Sequence, residues 1–256
     1  MALTGMQIFK LLPKTNCKEC GVPTCLAFAM NLASGKAELD SCPYVSEEAR
    51  AQLEEASAPP IRQVAVGKGV RATKTGGETV LYRHEKTFYN PTMFAGLITS
   101  DSAAADVEAK LKCWNALQYE RVGLNLRPEL AAVKDVNGDK DAFAALAKLV
   151  AETSEFNLIL MSEDADVMKA GVAACAFKRP LIYGATAANA DAFGAIAKDN
   201  DLPLGIKADS LDALAPLSEK FTGMGLKDLV LDPGSREPKQ SNEDMIAIRR
   251  LSLIHI

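Results

Sequence analysis

From Phe94 onward, short apolar runs alternate with longer segments in which apolar residues recur every three or four positions. The runs Phe94–Thr99, Arg121–Leu126, Asn157–Met161, Pro180–Tyr183, Pro203–Lys207 and Asp228–Leu231 predict strands. The segments Ala103–Leu117, Lys140–Thr153, Ala165–Ala176, Ala188–Lys198 and Leu211–Phe221 predict helices with one apolar face. Such alternation predicts an α/β fold, a parallel sheet with helices packed against it. Six units at a spacing of about 25–40 residues favour a (β/α) barrel of the TIM type over an open sheet. A closed barrel takes eight units, so the barrel is expected to be incomplete and the chain truncated after a last helix at Asn242–Arg250. No G-x-G-x-x-G or Walker A loop follows a strand, which weighs against nucleotide binding.

The N-terminal part carries a different pattern. Thr4-Gly5-Met6-Gln7 reads as a capping box for a helix bearing Ile8, Phe9, Leu11 and Leu12, ended by Pro13. A second helix starts near Pro23, presents Leu26, Met30 and Ala33 as a core face, and closes at Gly35. Ser46-Glu47-Glu48 caps a third, to about Glu55. Ala56-Ser57-Ala58-Pro59-Pro60 reads as a stiff linker. Residues 1–57 are therefore expected to form a small helical domain and residues 62–256 the barrel. Gln63–Val66 and Thr79–Tyr82, with Gly67, Gly69, Gly76 and Gly77 as turns, read as a hairpin-like entry to it.

Chemistry enters with the cysteines. Cys17, Cys20, Cys25 and Cys42 follow the spacing C-x2-C-x4-C-x16-C. Three thiols fall on a turn made by Gly21 and Pro23, and the fourth arrives after one helix-length excursion. A [4Fe-4S] cluster takes four cysteine thiolates, and a tight loop that supplies three of them is the usual arrangement, although this spacing is not the bacterial ferredoxin run. A structural zinc site is the alternative. It commonly takes two C-x2-C pairs, whereas only Cys17 and Cys20 form one here. A disulfide framework is disfavoured by the absence of a secretory signal and by a chain large enough to build a core.

The 256 residues are 48% hydrophobic and 24% charged, with a net charge of −4. That balance, without a basic run or an aromatic-basic platform, excludes nucleic acid as an expected partner. No apolar run approaches eighteen residues, so no membrane span is expected, and the free thiols point to the cytoplasm. Cys113 and Cys175, in helical stretches, are expected to be buried, inert thiols. His84 stands beside Glu85 with no second histidine at metal-binding spacing, since His255 lies in the apolar tail, and is expected to be a local structural or interface residue. Asp232-Pro233-Gly234 and Asn125 are placed at the C-terminal rim of the strands, where barrels keep their chemistry. A D-P-G at that place resembles pterin-binding barrels such as dihydropteroate synthase, which implies pterin or corrinoid contact, whereas the turn-forming residues themselves read, with more weight, as a capped turn.

The runs Leu12–Gly21, Pro23–Ala29 and Cys42-Pro43 closely resemble the large, or gamma, subunit of the corrinoid iron–sulfur protein of the acetyl-CoA decarbonylase/synthase system, and Leu81–Pro91 is similar to it too. The resemblance implies that Cys17, Cys20, Cys25 and Cys42 are ligands of a [4Fe-4S] cluster. It implies the order cluster domain, barrel, and C-terminal cobamide-binding domain, of which the last is expected to be absent from this sequence. In that family Co(I) of the cobamide takes a methyl group from a methylated tetrahydropterin or tetrahydrofolate through a methyltransferase and passes it to acetyl-CoA synthase. The cluster restores cobalt that has become oxidised to Co(II). The implied class is thus a methyltransferase subunit of anaerobic carbon fixation. Implied partners are the small subunit as a heterodimer, the methyltransferase, and acetyl-CoA synthase with CO dehydrogenase. A stand-alone electron-transfer module and a pterin-binding methyltransferase barrel are the competing readings.

Overall fold

A computed structural model describes residues 5–33, 37, 39–50, 53, 61–77, 90 and 92–254. The chain divides into two compact units, Met1–Ile61 together with Arg249–Ile256, and Arg62–Ile248. The first contains helices α1 (Gly5–Leu11) and α2 (Cys25–Ala33). Thr24 caps α2, its hydroxyl accepting from the Ala27 amide at 3.1 Å. Ile8 and Leu12 meet Cys25, Phe28, Ala29, Cys42 and Leu53 in one apolar core. The inward stripe of α2 is therefore Cys25–Phe28–Ala29. The expected face is wrong by about one residue, because Leu26 and Met30 have the same helical spacing yet remain exposed. Periodicity cannot choose between two equally spaced stripes; the stripe carrying the aromatic ring and the thiol is the one buried. Thr4, Gly35 and the linker 56–60 lie outside the described residues, and Ser46 accepts from the Ala49 amide at 3.2 Å to start the next helical turn.

The second unit is built on a six-stranded parallel sheet. Its strands are β3 (Ala95–Thr99), β6 (Leu130–Lys134), β7 (Asn157–Met161), β8 (Leu181–Ala185), β9 (Leu204–Lys207) and β10 (Leu229–Asp232), paired in that order. Between them run α3 (Ala104–Ala116), α4 (Lys140–Thr153), α5 (Ala165–Cys175), α6 (Ala190–Asn200) and α7 (Leu211–Gly223), and α8 (Pro238–Ile254) follows β10. Asp139, Asp164 and Ser210 cap α4, α5 and α7 with side-chain oxygens, which fixes the helix starts one residue after each. Alternate strand residues, such as Ala131 and Val133, Leu158 and Leu160, Leu204 and Ile206, share one core with Phe143, Met168, Phe193 and Phe221 from the helices. Each strand pairs with the next in sequence and no order reversal occurs. A barrel has the same order, but among the described residues the sheet is open, with β3 and β10 as its edges. No helix among the described residues is long and apolar enough to cross a membrane.

One expected strand is corrected. Arg121–Leu126 does not enter the sheet; β4 (Tyr119–Arg121) and β5 (Leu124–Leu126) form a separate antiparallel hairpin. Val122 and Gly123 both have positive φ, 52° and 74°, the backbone of a tight hairpin turn. The strand that pairs with β3 is instead Leu130–Lys134, whose first four residues are buried on both faces and so lack an alternating pattern.

The hairpin of β1 (Val64–Val66) and β2 (Thr73–Thr75) covers the N-terminal ends of the sheet strands. The expected partner strand, Thr79–Tyr82, lies outside the described residues. Val66 packs with Leu130, Leu181, Ile159 and Val230. Arg179, left-handed at φ 52°, donates to the Ala65 carbonyl at 2.6 Å and to Asp228 at 2.9 Å. Asp228 also accepts from Arg62 at 2.8 Å, and the Arg179 carbonyl accepts from the Gly67 amide. Gly67 cannot carry a side chain here, since a Cβ would collide with the Asn157 amide.

Candidate metal centre

Between α1 and α2 the chain runs irregularly, and three of its non-glycine residues are left-handed: Lys14 at φ 58°, Asn16 at 48° and Lys18 at 68°. Each such residue is disfavoured by about 1–2 kcal/mol, so a run of them is held only where its surroundings over-determine it. The Asn16 side-chain oxygen accepts from the Cys25 amide at 2.8 Å, tying the loop to the start of α2. The Lys18 carbonyl accepts from the Gly21 amide at 3.1 Å, with Gly21 at φ 78°, which makes the turn between Cys17 and Cys25. The Lys14 ammonium lies 5.7 Å from the Phe9 ring centroid.

Cys17 is exposed, Cys20 is half-buried, Cys25 and Cys42 are buried, and none is in a disulfide. Cys25 and Cys42 belong to the small apolar core and Cys20 packs against it. Tyr44 donates to Glu19 at 3.1 Å, linking the segment between Cys17 and Cys20 to the one after Cys42. The Tyr44 phenol is pushed up by its bond to Glu19 and by that carboxylate's charge, and more weakly by Cys17 and Cys42. Among the described residues, however, no three Cys, His, Asp or Glu side chains are gathered at metal-binding geometry. Cys25 and Cys42 share one apolar cluster with Cys20 packed against it, whereas Cys17 is exposed. Four uncrosslinked thiols fit a thiophilic centre, iron–sulfur or zinc, and not a hard oxygen-seeking cation.

The rim of the sheet holds a second polar group. Arg236 grips both oxygens of Asp232, at 3.0 and 2.9 Å, the Gly234 amide donates to one of them at 2.8 Å, and the Tyr183 hydroxyl donates to the other. Burial raises the Asp232 carboxyl, but the bonds from Arg236, Tyr183 and Gly234 outweigh it and bring it to about 2. Burial and the Asp232 bond push Tyr183 up to about 12. Asp232 is therefore fully engaged within the protein, as a capped turn would have it. Next to it, the Ser235 hydroxyl oxygen is buried without a hydrogen-bond partner. Asn125 is not on this rim; it sits on the β4–β5 hairpin beside Gln118, Tyr119, Glu120 and Gly123.

Cys175 is buried, its thiol donates to the Gly171 carbonyl at 3.2 Å, and burial pushes it up to about 12. Cys113 departs from expectation: it is exposed, on the outer side of α3, because the helix turns Val107 and Leu111 inward instead. A thiol reagent is expected to modify Cys113 in the native protein and Cys175 only after denaturation, as read by peptide mass mapping. Equal labelling rates for the two would contradict this placement. His84 and His255 lie outside the described residues. Sequence reasoning missed Asn16, Arg179 and Asp228. Only Asn16 left a signal, as the residue type beside Cys17 that best tolerates left-handed backbone.

Residues 63–255 match the family model for the CO dehydrogenase/acetyl-CoA synthase delta subunit. Residues 12–44, which contain Cys17, Cys20, Cys25 and Cys42, match one described as "Putative Fe-S cluster". The chain is 47% identical over 253 residues to the corrinoid/iron-sulfur protein large subunit of Moorella thermoacetica, covering 99% of this chain and 57% of that protein. It is 36% identical over 260 residues to the acetyl-CoA decarbonylase/synthase complex subunit gamma 2 of Methanosarcina mazei, covering 97% and 55%. With the gamma subunit of Methanopyrus kandleri the identity is 35% over 237 residues, covering 91% and 50%. The chain belongs to the CO dehydrogenase/acetyl-CoA synthase delta subunit family and is a homologue of corrinoid/iron-sulfur protein large subunits. It spans about half the length of the curated relatives it matches.

Proposed function

We propose that this chain carries the iron–sulfur and barrel portion of a corrinoid iron–sulfur protein large subunit, with Cys17, Cys20, Cys25 and Cys42 holding a [4Fe-4S] cluster. The observation that carries the reading is one span, residues 12–44, matched as an iron–sulfur segment, in which Cys20, Cys25 and Cys42 share a single apolar cluster. When bound, the cluster would relay an electron from an external low-potential donor to corrinoid Co(II), restoring the Co(I) form that would accept a methyl group from a methyl-tetrahydropterin or -tetrahydrofolate for acetyl-CoA synthase. The protein's part is positional. Phe28, Ile8 and Leu12, buried with Cys25 and Cys42, would keep water from the cluster on that side, while exposed Cys17 would leave its own side open to electron exchange. Residues 1–57 form the cluster domain in this reading, and 62–256 a barrel segment, which the consecutive strand order supports. The small subunit, the methyltransferase, and acetyl-CoA synthase with CO dehydrogenase are the partners it implies, in the cytoplasm. A pterin-binding barrel would need Asp232 free for ligand, and both of its oxygens are engaged.

Anaerobically prepared protein is expected to contain iron and acid-labile sulfide at about four each per chain and to give an S = 1/2 EPR signal after reduction. Bound zinc without sulfide or signal would overturn the reading in favour of a structural knuckle.

A further inference from the structure

We propose that Asn16 is a positioning residue of the cluster loop that withholds the Cys25 amide from the cluster sulfurs and so keeps the cluster potential low. The proposal rests on the cluster reading above. Asn16 is left-handed at φ 48° and its side-chain oxygen accepts from the Cys25 amide at 2.8 Å, nine residues away. Asparagine takes this backbone at less strain than other residues bearing a side chain, and it brings an acceptor with it. The bond joins the neighbour of one thiol, Cys17, to the amide of another, Cys25. Two ligand arms are thereby tied to each other by the protein itself.

The same bond has an electrostatic effect. Cys25 opens α2, and the first amides of a helix have no partner within the helix. Thr24 satisfies the amide of Ala27, and Asn16 satisfies that of Cys25. Hydrogen bonds to cluster sulfurs are among the determinants of the potential, and donors favour the more negative, reduced state. An amide already bonded to Asn16 is not available for that purpose.

The test is an EPR-monitored redox titration of the full chain, reconstituted with iron and sulfide, as wild type, Asn16→Gly and Asn16→Asp. Glycine keeps the left-handed backbone and removes the acceptor; aspartate keeps the acceptor and adds negative charge. Asn16→Gly is expected to reduce more easily, by about tenfold in equilibrium constant, which is about 59 mV for one electron. Asn16→Asp is expected at or below the wild-type potential. A merely structural cap would lower the melting temperature of Asn16→Gly and leave its potential unchanged, and that result overturns the proposal. If Asn16→Gly holds no cluster, retention by Asn16→Asp supports the positioning role and loss in both overturns it. A wild-type chain that takes up no iron and sulfide would instead remove the underlying cluster reading.

Discussion

Cys42→Ala is expected to reduce the iron of the reconstituted protein from about four per chain to less than one and to abolish the reduced-state EPR signal. Cys42 is 3% exposed and packs with Cys25, Phe28 and Ile8, so two roles for it predict different outcomes. As a plain core residue, its truncation would remove one sulfur atom from a small cluster, destabilising it by about 1 kcal/mol and leaving metal content untouched. As the fourth ligand, its loss leaves the thiols of Cys17, Cys20 and Cys25 one short of the set that a cubane needs. Iron and sulfide analysis separates the two, with circular dichroism to establish that α1 and α2 remain helical. Full iron content in Cys42→Ala would assign the fourth ligand elsewhere.

The second large effect lies in the sheet unit. Arg179→Met is expected to lower stability by about 2–3 kcal/mol, and the melting temperature by roughly 5–10 °C. Arg179 is 18% exposed at its side chain and serves the Ala65 carbonyl, the Asp201 carbonyl and Asp228 at once. Removing it leaves Asp228, 23% exposed, with Arg62 alone. The effect falls below the ~3–5 kcal/mol of a fully buried pair because both groups retain some water. The sign of the pH dependence follows from Asp228. Burial raises its carboxyl, yet the bonds from Arg62 and Arg179 outweigh burial and hold it below the usual carboxylate range. A depressed native value contributes stability above the unfolded value, near 3.9, that is lost as pH falls through the folded one. The gap between wild type and Asp228→Asn in urea unfolding should therefore narrow on acidification from neutral pH. A constant gap, or no change in Arg179→Met, would show that the hairpin is held by the Val66 contacts alone.

Much of the sheet unit was legible because its signals are local. Helices α4, α5 and α7 begin at Asp139, Asp164 and Ser210, whose caps satisfy backbone amides two and three residues away, and their apolar faces repeat at 3.6 residues. Strands β7 and β9 are short, largely apolar segments carrying leucine and isoleucine between turns. β6 was missed because a strand buried on both faces has no alternation to read, while Arg121–Leu126 mimicked one. In the cysteine unit the spacing named the four thiols but not the helix face, since Leu26 and Met30 obey the same period as Cys25 and Ala29.

What the sequence determined by itself was whatever depends on neighbours along the chain: the cysteine spacing, the caps, and the alternation of strand and helix that fixes a parallel sheet. What only the tertiary structure decided depends on groups far apart in sequence. Arg179 meets Asp228 and Ala65, Asp232 meets Tyr183, and Asn16 meets Cys25 by closing a nine-residue turn. Those partners are chosen by burial, because a polar group taken from water must find a hydrogen bond wherever the packed chain brings one within reach.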